Sequence, residues 1–190
     1  MSSSFSEQLN DHIAVMELLH SLAPQVNTVG ELWLDCLKKG GKVLLMGNGG
    51  SAADAQHIAA ELVGRFVTER KGLAAMALTT DTSILTSVGN DYGFDFVFSR
   101  QIEGLANPED IVFAYSTSGN SKNVIKAMQT AKEIGCKSII LTGKSGGQLR
   151  NMADHCICVP SDSTARIQEA HAFIGHMLCH YVDDKFGVVE

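Results

Sequence analysis

The chain has 190 residues, enough for one domain of ordinary size around a single buried core. Hydrophobic residues make up 45% of it and charged residues 19%, with three prolines, which excludes a largely disordered chain. The formal net charge of −6 argues against a nucleic-acid-binding protein but permits a small anion pocket. Backbone and hydroxyl groups would then have to hold any phosphate.

The sequence gives no sign of a membrane or secretory protein. The start of the chain, up to Glu7, carries neither a basic stretch nor an apolar signal core. No later apolar run reaches the roughly 18 residues that a membrane-spanning helix needs. We therefore expect a cytoplasmic protein that binds no membrane. The five cysteines favour free thiols, with a disulfide or a zinc-thiolate site at Cys156 and Cys158 as the alternatives.

Residues 1–40 are predicted to form a helical arm. Apolar residues recur there with a helical period that breaks near Pro24, which predicts two helices. Such an arm can pack on its own domain, but in a short chain it often packs on another copy. We expect it to serve in oligomerisation, so that substituting Leu19 or Leu22 by Asp breaks the assembly.

Residues 41–190 are predicted to form an α/β core, and no domain boundary is visible within 1–190. Short apolar runs alternate with helical stretches, and a final helix covers Thr164–Phe186. This order predicts a three-layer, doubly wound, five-stranded parallel sheet, with ligands at the carboxyl ends of the strands. The predicted strands are Val43–Met46, Leu73–Leu78, Ile111–Tyr115, Ser138–Leu141 and Cys156–Val159.

A glycine-rich first loop follows the first predicted strand and precedes a predicted helix, Ala52–Val67. It reads Gly47-Asn48-Gly49-Gly50-Ser51. Backbone N–H groups in such a turn can approach an anion, and the helix N-terminus adds a favourable dipole. The dinucleotide fingerprint G-x-G-x-x-G is absent, and a tight structural turn is the alternative.

A second loop, residues 116–121, follows the third predicted strand and also precedes a helix. It reads Ser116-Thr117-Ser118-Gly119-Asn120-Ser121. Its hydroxyl groups and glycine could bind a phosphate without positive charge. In the alternative interpretation, Asn120 or Ser121 only caps the helix. Two such loops on neighbouring strand ends favour phosphate binding.

Polar residues on two helices suggest an acid–base or metal site. His57 and Glu61 are four residues apart and share a helix face, although an ordinary contact within the helix would explain them too. The final helix carries polar residues among apolar neighbours, and such groups need partners when buried. These residues are Gln168, His171, His176 and His180.

Together these segments resemble the sugar isomerase (SIS) family, whose flavodoxin-like α/β fold binds phosphosugars, and within it the phosphoheptose isomerase branch. The resemblance covers almost the whole chain. Besides the two loops, it rests on Asp54-Ala55-Gln56-His57, Glu61–Arg65, Ser87–Phe94, Leu141-Thr142-Gly143, Arg166-Ile167-Gln168-Glu169, His171 and His176.

The resemblance implies a set of site residues. Ser116, Thr117, Ser118 and Ser121 would hold the phosphate, and Asn48, Gly49, Gly50, Ser51, Glu61, Asn90, Asp91 and Gln168 would contact the rest of the substrate. One Zn²⁺ per subunit would be bound by His57, Glu61, Gln168 and His176, which offer suitable ligand types. A turn cap remains an alternative for Asn90 and Asp91, and neither His171 nor His180 receives a role.

The implied reaction converts D-sedoheptulose 7-phosphate to D-glycero-D-manno-heptose 7-phosphate through an enediol. Glu61 would move the carbon-bound proton and His176 the oxygen-bound protons, although the two roles could be exchanged. The product would feed ADP-heptose or GDP-heptose synthesis for lipopolysaccharide or other surface glycans. The family forms homotetramers with active sites where subunits meet.

Other classes of protein share parts of this pattern. A noncatalytic SIS-domain tetramer that binds the replication initiator protein would need neither Glu61 nor His176. A sugar-phosphate-sensing module would need the loops alone. Another isomerase of the fold, or an amino-sugar lyase, fits the motifs less well. Because both Glu61 and His176 are present, the isomerase is the favoured interpretation.

Overall fold

Two helices precede the first strand, as the sequence predicts. The computed structural model describes residues 4–186, so the outermost residues of the predicted 1–40 and 41–190 segments lie outside the described range. Helix α1 covers Phe5–Leu18 and helix α2 covers Ala23–Lys38, joined by a 3-10 turn. Pro24 lies in the first turn of α2, where its missing N–H leaves no hydrogen bond unmade.

The described residues form a five-stranded sheet that is parallel throughout. The strands are β1 (Val43–Met46), β2 (Ala75–Ala77), β3 (Ile111–Ser116), β4 (Lys137–Gly143) and β5 (His155–Val159), in the spatial order β2-β1-β3-β4-β5. This is the flavodoxin-like order, in which the chain reverses its winding direction between β1 and β3. The predicted fold class is therefore confirmed.

Helices cover both faces of the sheet and make three layers. The remaining helices are α3 (Gly50–Val63), α4 (Thr82–Asp91), α5 (Ser99–Leu105), α6 (Lys122–Ile134) and α7 (Thr164–Phe186). Alternate residues of β3 enter two separate apolar cores: Phe113 packs on the side of α2, α3 and α7, and Val112 on the side of α5 and α6. Strands buried on both faces explain the uninterrupted apolar runs in the sequence.

Several element bounds differ from the predicted ones. Strand β2 has three residues instead of the run Leu73–Leu78, because the Leu73 N–H donates to Leu62 O at the end of α3 rather than to the sheet. Helix α3 starts at Gly50 and ends at Val63, earlier than the predicted Ala52–Val67. Strand β4 is longer than predicted at both ends.

The helical arm divides into an exposed and a buried part. Helix α1 has no buried residue, and Leu9 and Ile13 are 44% and 46% exposed. Leu19 and Leu22, in contrast, are buried in the chain's own core. Substituting either by Asp would therefore damage the fold itself, and Leu9 and Ile13 are the better positions to test assembly.

The cysteines form no disulfide, and the helices include no candidate membrane span among the described residues. All five cysteines are free thiols, so no disulfide forms at Cys156 and Cys158. Burial raises the pKa of the Cys179 thiol to about 12. Between residues 4 and 186, none of the helices combines the length and the apolar character that crossing a bilayer requires.

Candidate active site

The two predicted loops lie side by side at the carboxyl edge of the sheet. Strands β1 and β3 are direct neighbours, and the first and second loops follow them. The reversal of strand order between β1 and β3 opens a crevice there, which is the usual ligand site of an open α/β sheet. The topology thus places the two loops next to each other.

The first loop turns tightly into α3. Gly49 has a φ of 58°, a conformation that favours glycine, and the N–H of Ala52 donates to Gly49 O at 3.0 Å. A Cβ on Gly50 would lie 2.5 Å from Nε2 of Gln168, so a side chain at position 50 would displace that amide. Gln168 of α7 therefore lies directly against the first loop.

The second loop is held by its own hydroxyl groups and by the chain after β4. The Ser116 and Ser121 hydroxyls lie 3.0 Å apart, and the N–H of Asn120 donates to Ser118 Oγ at 3.2 Å. Ser121 occupies the N-cap position of α6 but makes no capping hydrogen bond with its side chain. A Cβ on Gly119 would collide with the carbonyl oxygen of Gly146, so this position requires glycine.

A pair of asparagines joins the two loops. Asn48 Nδ2 donates to Asn123 Oδ1 at 2.9 Å, and Asn123 Nδ2 donates back to Asn48 Oδ1 at 2.8 Å. Asn123 is buried in the first turn of α6 and also accepts from the N–H of Val124. The sequence interpretation overlooked Asn123, whose one available signal was a polar residue directly after the hydroxyl-rich loop.

His57, Glu61 and His176 meet beyond the first loop. Nε2 of His57 lies 3.1 Å from Glu61 Oε1 and 3.3 Å from Nε2 of His176. Helices α3 and α7 approach closely at Gly175, where the lack of a side chain makes room for Ile58. A Cβ on Gly175 would lie only 2.8 Å from Ile58 Cδ1. The two histidine rings meet edge to face, with centroids 4.9 Å apart.

The three side chains form the His–Glu–His cluster (His57, Glu61 and His176). One donor atom from each lies within 4.8 Å of the others, a spacing that could hold a metal ion. Two imidazoles and a carboxylate suit zinc, and a site with three protein ligands leaves a coordination position free for a substrate. Phe66, which the sequence interpretation also overlooked, stacks on the His176 ring at 5.2 Å.

The other predicted site residues lie outside the His–Glu–His cluster. Gln168 precedes His176 by two turns of α7, an axial distance of about 12 Å, and contacts Gly50 as described. Asn90 and Asp91 are exposed at the end of α4, where Asn90 Nδ2 donates to Asp91 Oδ1 at 2.8 Å. Their roles, including that of Gln168 as a fourth metal ligand, stay predictions.

Two polar side chains of α3 and α7, Asp54 and His171, have pKa values that burial shifts. His171 is fully buried, with Nε2 at 3.2 Å from the carbonyl oxygen of Thr142, and burial lowers the pKa of its imidazole to about 4. Burial raises the pKa of Asp54 to about 6, an effect that neighbouring His57 opposes. His180 is instead exposed, 3.8 Å from Asp184. His171 is therefore a neutral core residue that faces the sheet.

Comparison with known proteins assigns this fold and site to a family. A family model for the SIS domain matches residues 7–143. The chain is 52% identical over 186 residues to phosphoheptose isomerase 1 of Campylobacter jejuni. This match covers 98% of the chain and 100% of the relative. The chain belongs to the phosphoheptose isomerase family. A phosphoheptose isomerase of Geotalea daltonii is 54% identical over 186 residues, with 97% of each chain covered.

A solved structure extends the similarity to three dimensions. The phosphoheptose isomerase of Neisseria gonorrhoeae matches this isomerase with a TM-score of 0.90 at 45% identity, over 94% of this chain and 96% of that one. Both the fold and the family predicted from the sequence are thus confirmed. The noncatalytic, initiator-binding alternative is not favoured.

Proposed function

We propose that this isomerase converts D-sedoheptulose 7-phosphate to D-glycero-D-manno-heptose 7-phosphate. One observation carries the proposal above all: an imidazole and a carboxylate that can exchange protons, His176 and Glu61, have atoms within 4.8 Å of one another, about three helical turns beyond the first loop. A seven-carbon sugar separates its reacting carbons, C1 and C2, from the phosphate on C7. We assign the phosphate to the second loop and the reacting carbons to the His–Glu–His cluster.

The phosphate would bind in the second loop. Ser116, Thr117, Ser118 and Ser121 offer hydroxyl groups there, and the start of α6 adds backbone N–H groups and a favourable dipole. Lysine and arginine are absent from residues 116–121. Neutral donors of this kind bind a dianion by hydrogen bonding rather than by charge pairing.

The sugar would extend from the second loop past the first loop toward the His–Glu–His cluster. Asn48, Gly49, Gly50 and Ser51 would contact its hydroxyl groups, with Gln168 beside Gly50. We also assign substrate hydroxyl contacts to Asn90 and Asp91, as the family resemblance implies.

The isomerisation requires that one proton leaves C1 or C2 and another returns to the neighbouring carbon, with an enediol between the two steps. We assign Glu61 as the base that takes the carbon-bound proton and returns it. His176 gives a proton to the carbonyl oxygen as the enediol forms and removes one from the neighbouring hydroxyl as it collapses, so the enzyme ends in its starting protonation state.

A zinc ion would be held by His57, Glu61 and His176, with Gln168 as the predicted fourth ligand. Such an ion polarises a carbonyl group and lowers the pKa of a hydroxyl group that it binds. The support is the ligand types and the mutual spacing of the cluster. Phe66, stacked on His176, restricts the orientation of that ring.

We further propose a cytoplasmic homotetramer with active sites at the subunit interfaces, whose product serves nucleotide-activated heptose synthesis for lipopolysaccharide or another surface glycan. The apolar, exposed face of α1 supports an interface between copies. Five free thiols are typical of a reducing compartment.

The decisive experiment measures turnover of sedoheptulose 7-phosphate by the wild type, Glu61→Gln and His176→Gln, each stripped of metal and then supplied with zinc. We expect aldose phosphate from the wild type and losses of about 100- to 10,000-fold in both folded variants. His180→Gln is the matched control, because His180 lies one turn after His176 but is exposed. A folded wild type that stays inactive with zinc would refute the proposed reaction.

A further inference from the structure

Arg70 and Asp183 form a buried ion pair beside the candidate acid and base. Arg70 Nε lies 2.6 Å from Asp183 Oδ1, and the two side chains are 2% and 0% exposed. Neither residue was singled out from the sequence. We infer that this pair, the helix clamp (Arg70 and Asp183), fixes the position of Glu61 relative to His176. The inference rests on the proposed function, because it concerns how that reaction is supported.

Arg70 binds the backbone at the end of α3. Its Nη2 donates to Glu61 O at 2.9 Å, and its Nη1 donates to Leu62 O at 2.9 Å. A weaker contact joins Nη1 to Gly64 O at 3.4 Å. The last carbonyl groups of a helix have no partner within it, so the guanidinium group supplies the missing donors. One of these carbonyls belongs to Glu61 itself, so Arg70 fixes the backbone from which the proposed base extends.

Asp183 connects the same region to α7. Its Oδ2 accepts from the backbone N–H groups of Val67, at 2.8 Å, and Thr68, at 3.0 Å. Asp183 lies seven residues after His176, two turns farther along the same face of α7. The residue before Val67 is Phe66, whose ring stacks on His176. The clamp therefore joins the end of α3, the segment that carries Phe66, and the helix that carries His176.

The charges of the clamp are well compensated. Burial alone would raise the pKa of Asp183, but hydrogen bonds from Val67, Thr68 and Arg70 lower it below its usual value, which keeps the carboxylate ionised at neutral pH. A buried ion pair is often no more stabilising than apolar residues of similar volume. What it adds here is direction, since a planar guanidinium group binds the carbonyls of Glu61 and Leu62, with weaker contacts to two more, and a carboxylate in a fixed geometry. Such geometry suits the placement of a catalytic side chain.

The chain contains a second carboxylate of nearly the same design, far from the cluster. Asp110 accepts from the N–H groups of Lys42, at 2.9 Å, and Asn107, at 2.8 Å, and lies 2.5 Å from Lys42 Nζ. Lys42 precedes β1 and Asp110 precedes β3, so this pair lies at the amino edge of the sheet, opposite the proposed site. Removing its charge should cost stability without moving Glu61 or His176, which makes Asp110→Asn the matched control.

The test compares Asp183→Asn, Arg70→Lys and Asp110→Asn with the zinc-supplied wild type, measuring Tm, kcat and KM at a temperature where each variant is folded. Asn at 183 keeps the size of the side chain but places a donor against either Arg70 or the backbone N–H groups of Val67 and Thr68. Lys at 70 keeps the charge but loses the forked guanidinium group. We expect both asparagine variants to lower Tm. Asp183→Asn should also lower kcat about 10- to 100-fold, with KM changed less than about threefold, because a small displacement of a catalytic group has this effect on rate. Arg70→Lys should lower kcat by a smaller factor in the same direction.

The outcomes separate positioning from stability. A kcat of Asp183→Asn equal to that of Asp110→Asn overturns the inference, and so does a kcat of Arg70→Lys within twofold of the wild type. Should Asp183→Asn not fold, the Arg70→Lys result decides alone. An inactive wild type would instead refute the proposed function, since the clamp is intact in both the wild type and Asp110→Asn.

Discussion

Asn48 and Asn123 exchange two side-chain hydrogen bonds, of 2.9 and 2.8 Å, between the first loop and the start of α6. Each amide is thereby held in one orientation, with both of its polar atoms used. The second loop leads directly into α6, so the pair fixes the distance between the two loops that would bind opposite parts of one substrate. Asn123 thus holds the two loops in place, although it was not predicted to contact the substrate.

We predict that Asn123→Ala raises KM about 5- to 100-fold, because loss of the amide leaves Asn48 without partners at a cost of about 1–3 kcal/mol. The effect on kcat should be smaller, since the His–Glu–His cluster is not touched. Steady-state kinetics of the variant measure both constants. Asn151→Ala, at an exposed asparagine after β4, is the control. If Asn123→Ala and Asn151→Ala share the wild-type KM, the two loops do not depend on this pair.

The proposed metal site predicts a loss of bound zinc. Treatment with a chelator should abolish turnover, and added zinc should restore it. His57→Asn should lower the zinc content measured on the purified protein, because two side chains cannot replace the three of the cluster. His180→Asn should bind as much zinc as the wild type, since His180 lies outside the cluster. Equal zinc content in the wild type and His57→Asn would contradict the site.

Local sequence pattern predicted the central strands and β5 but not the extent of the edge strand β2. The apolar run at Ile111–Tyr115 coincides with β3 almost completely, because a central parallel strand is buried on both faces. At the edge, Leu73 belongs to an equally apolar run, but its N–H donates to Leu62 O at the end of α3. The choice between sheet and helix end depends on a contact that the local pattern does not contain.

The candidate site was predictable to a similar extent. The four-residue spacing of His57 and Glu61 indicates a shared helix face, and their 3.1 Å contact agrees with it. The approach of His176 to His57 joins residues 119 positions apart, and spacing alone could not predict it. The sequence contained one indication of the clamp that the interpretation did not use. Asp183 is a charged residue on an apolar helix face, and a buried charge needs a partner.

His171 predicts an acid-dependent loss of stability. Burial lowers the pKa of its imidazole to about 4 in the folded chain, whereas an unfolded histidine titrates near 6.5. Above about pH 6.5 both states are neutral there, and the residue has no effect on the pH dependence. As the pH falls from about 6.5 to 4, the unfolded chain binds a proton that the folded chain does not. The free energy of unfolding should therefore decrease, by up to about 1.4 kcal/mol per pH unit.

Urea unfolding of the wild type and His171→Gln at pH 7, 6 and 5 measures this slope. Glutamine can donate to the Thr142 carbonyl but does not titrate, so the variant should lose less stability between pH 7 and pH 5 than the wild type. Acidic groups elsewhere affect both proteins equally and cancel in the difference. Parallel pH curves for the two proteins would show that His171 does not carry this effect.

The exposed face of α1 predicts where copies of the chain meet. Leu9 and Ile13 are about half exposed, although their helix is apolar on that face, and Leu19 and Leu22 are already buried within the chain. The double variant Leu9→Asp/Ile13→Asp should therefore give particles smaller than the wild type in sedimentation, with little change in the unfolding of the single chain. Leu105→Asp, at an exposed leucine of α5, should sediment like the wild type. Activity should fall together with assembly if active sites lie between subunits, whereas a fully active, smaller particle would show that each chain holds a complete site.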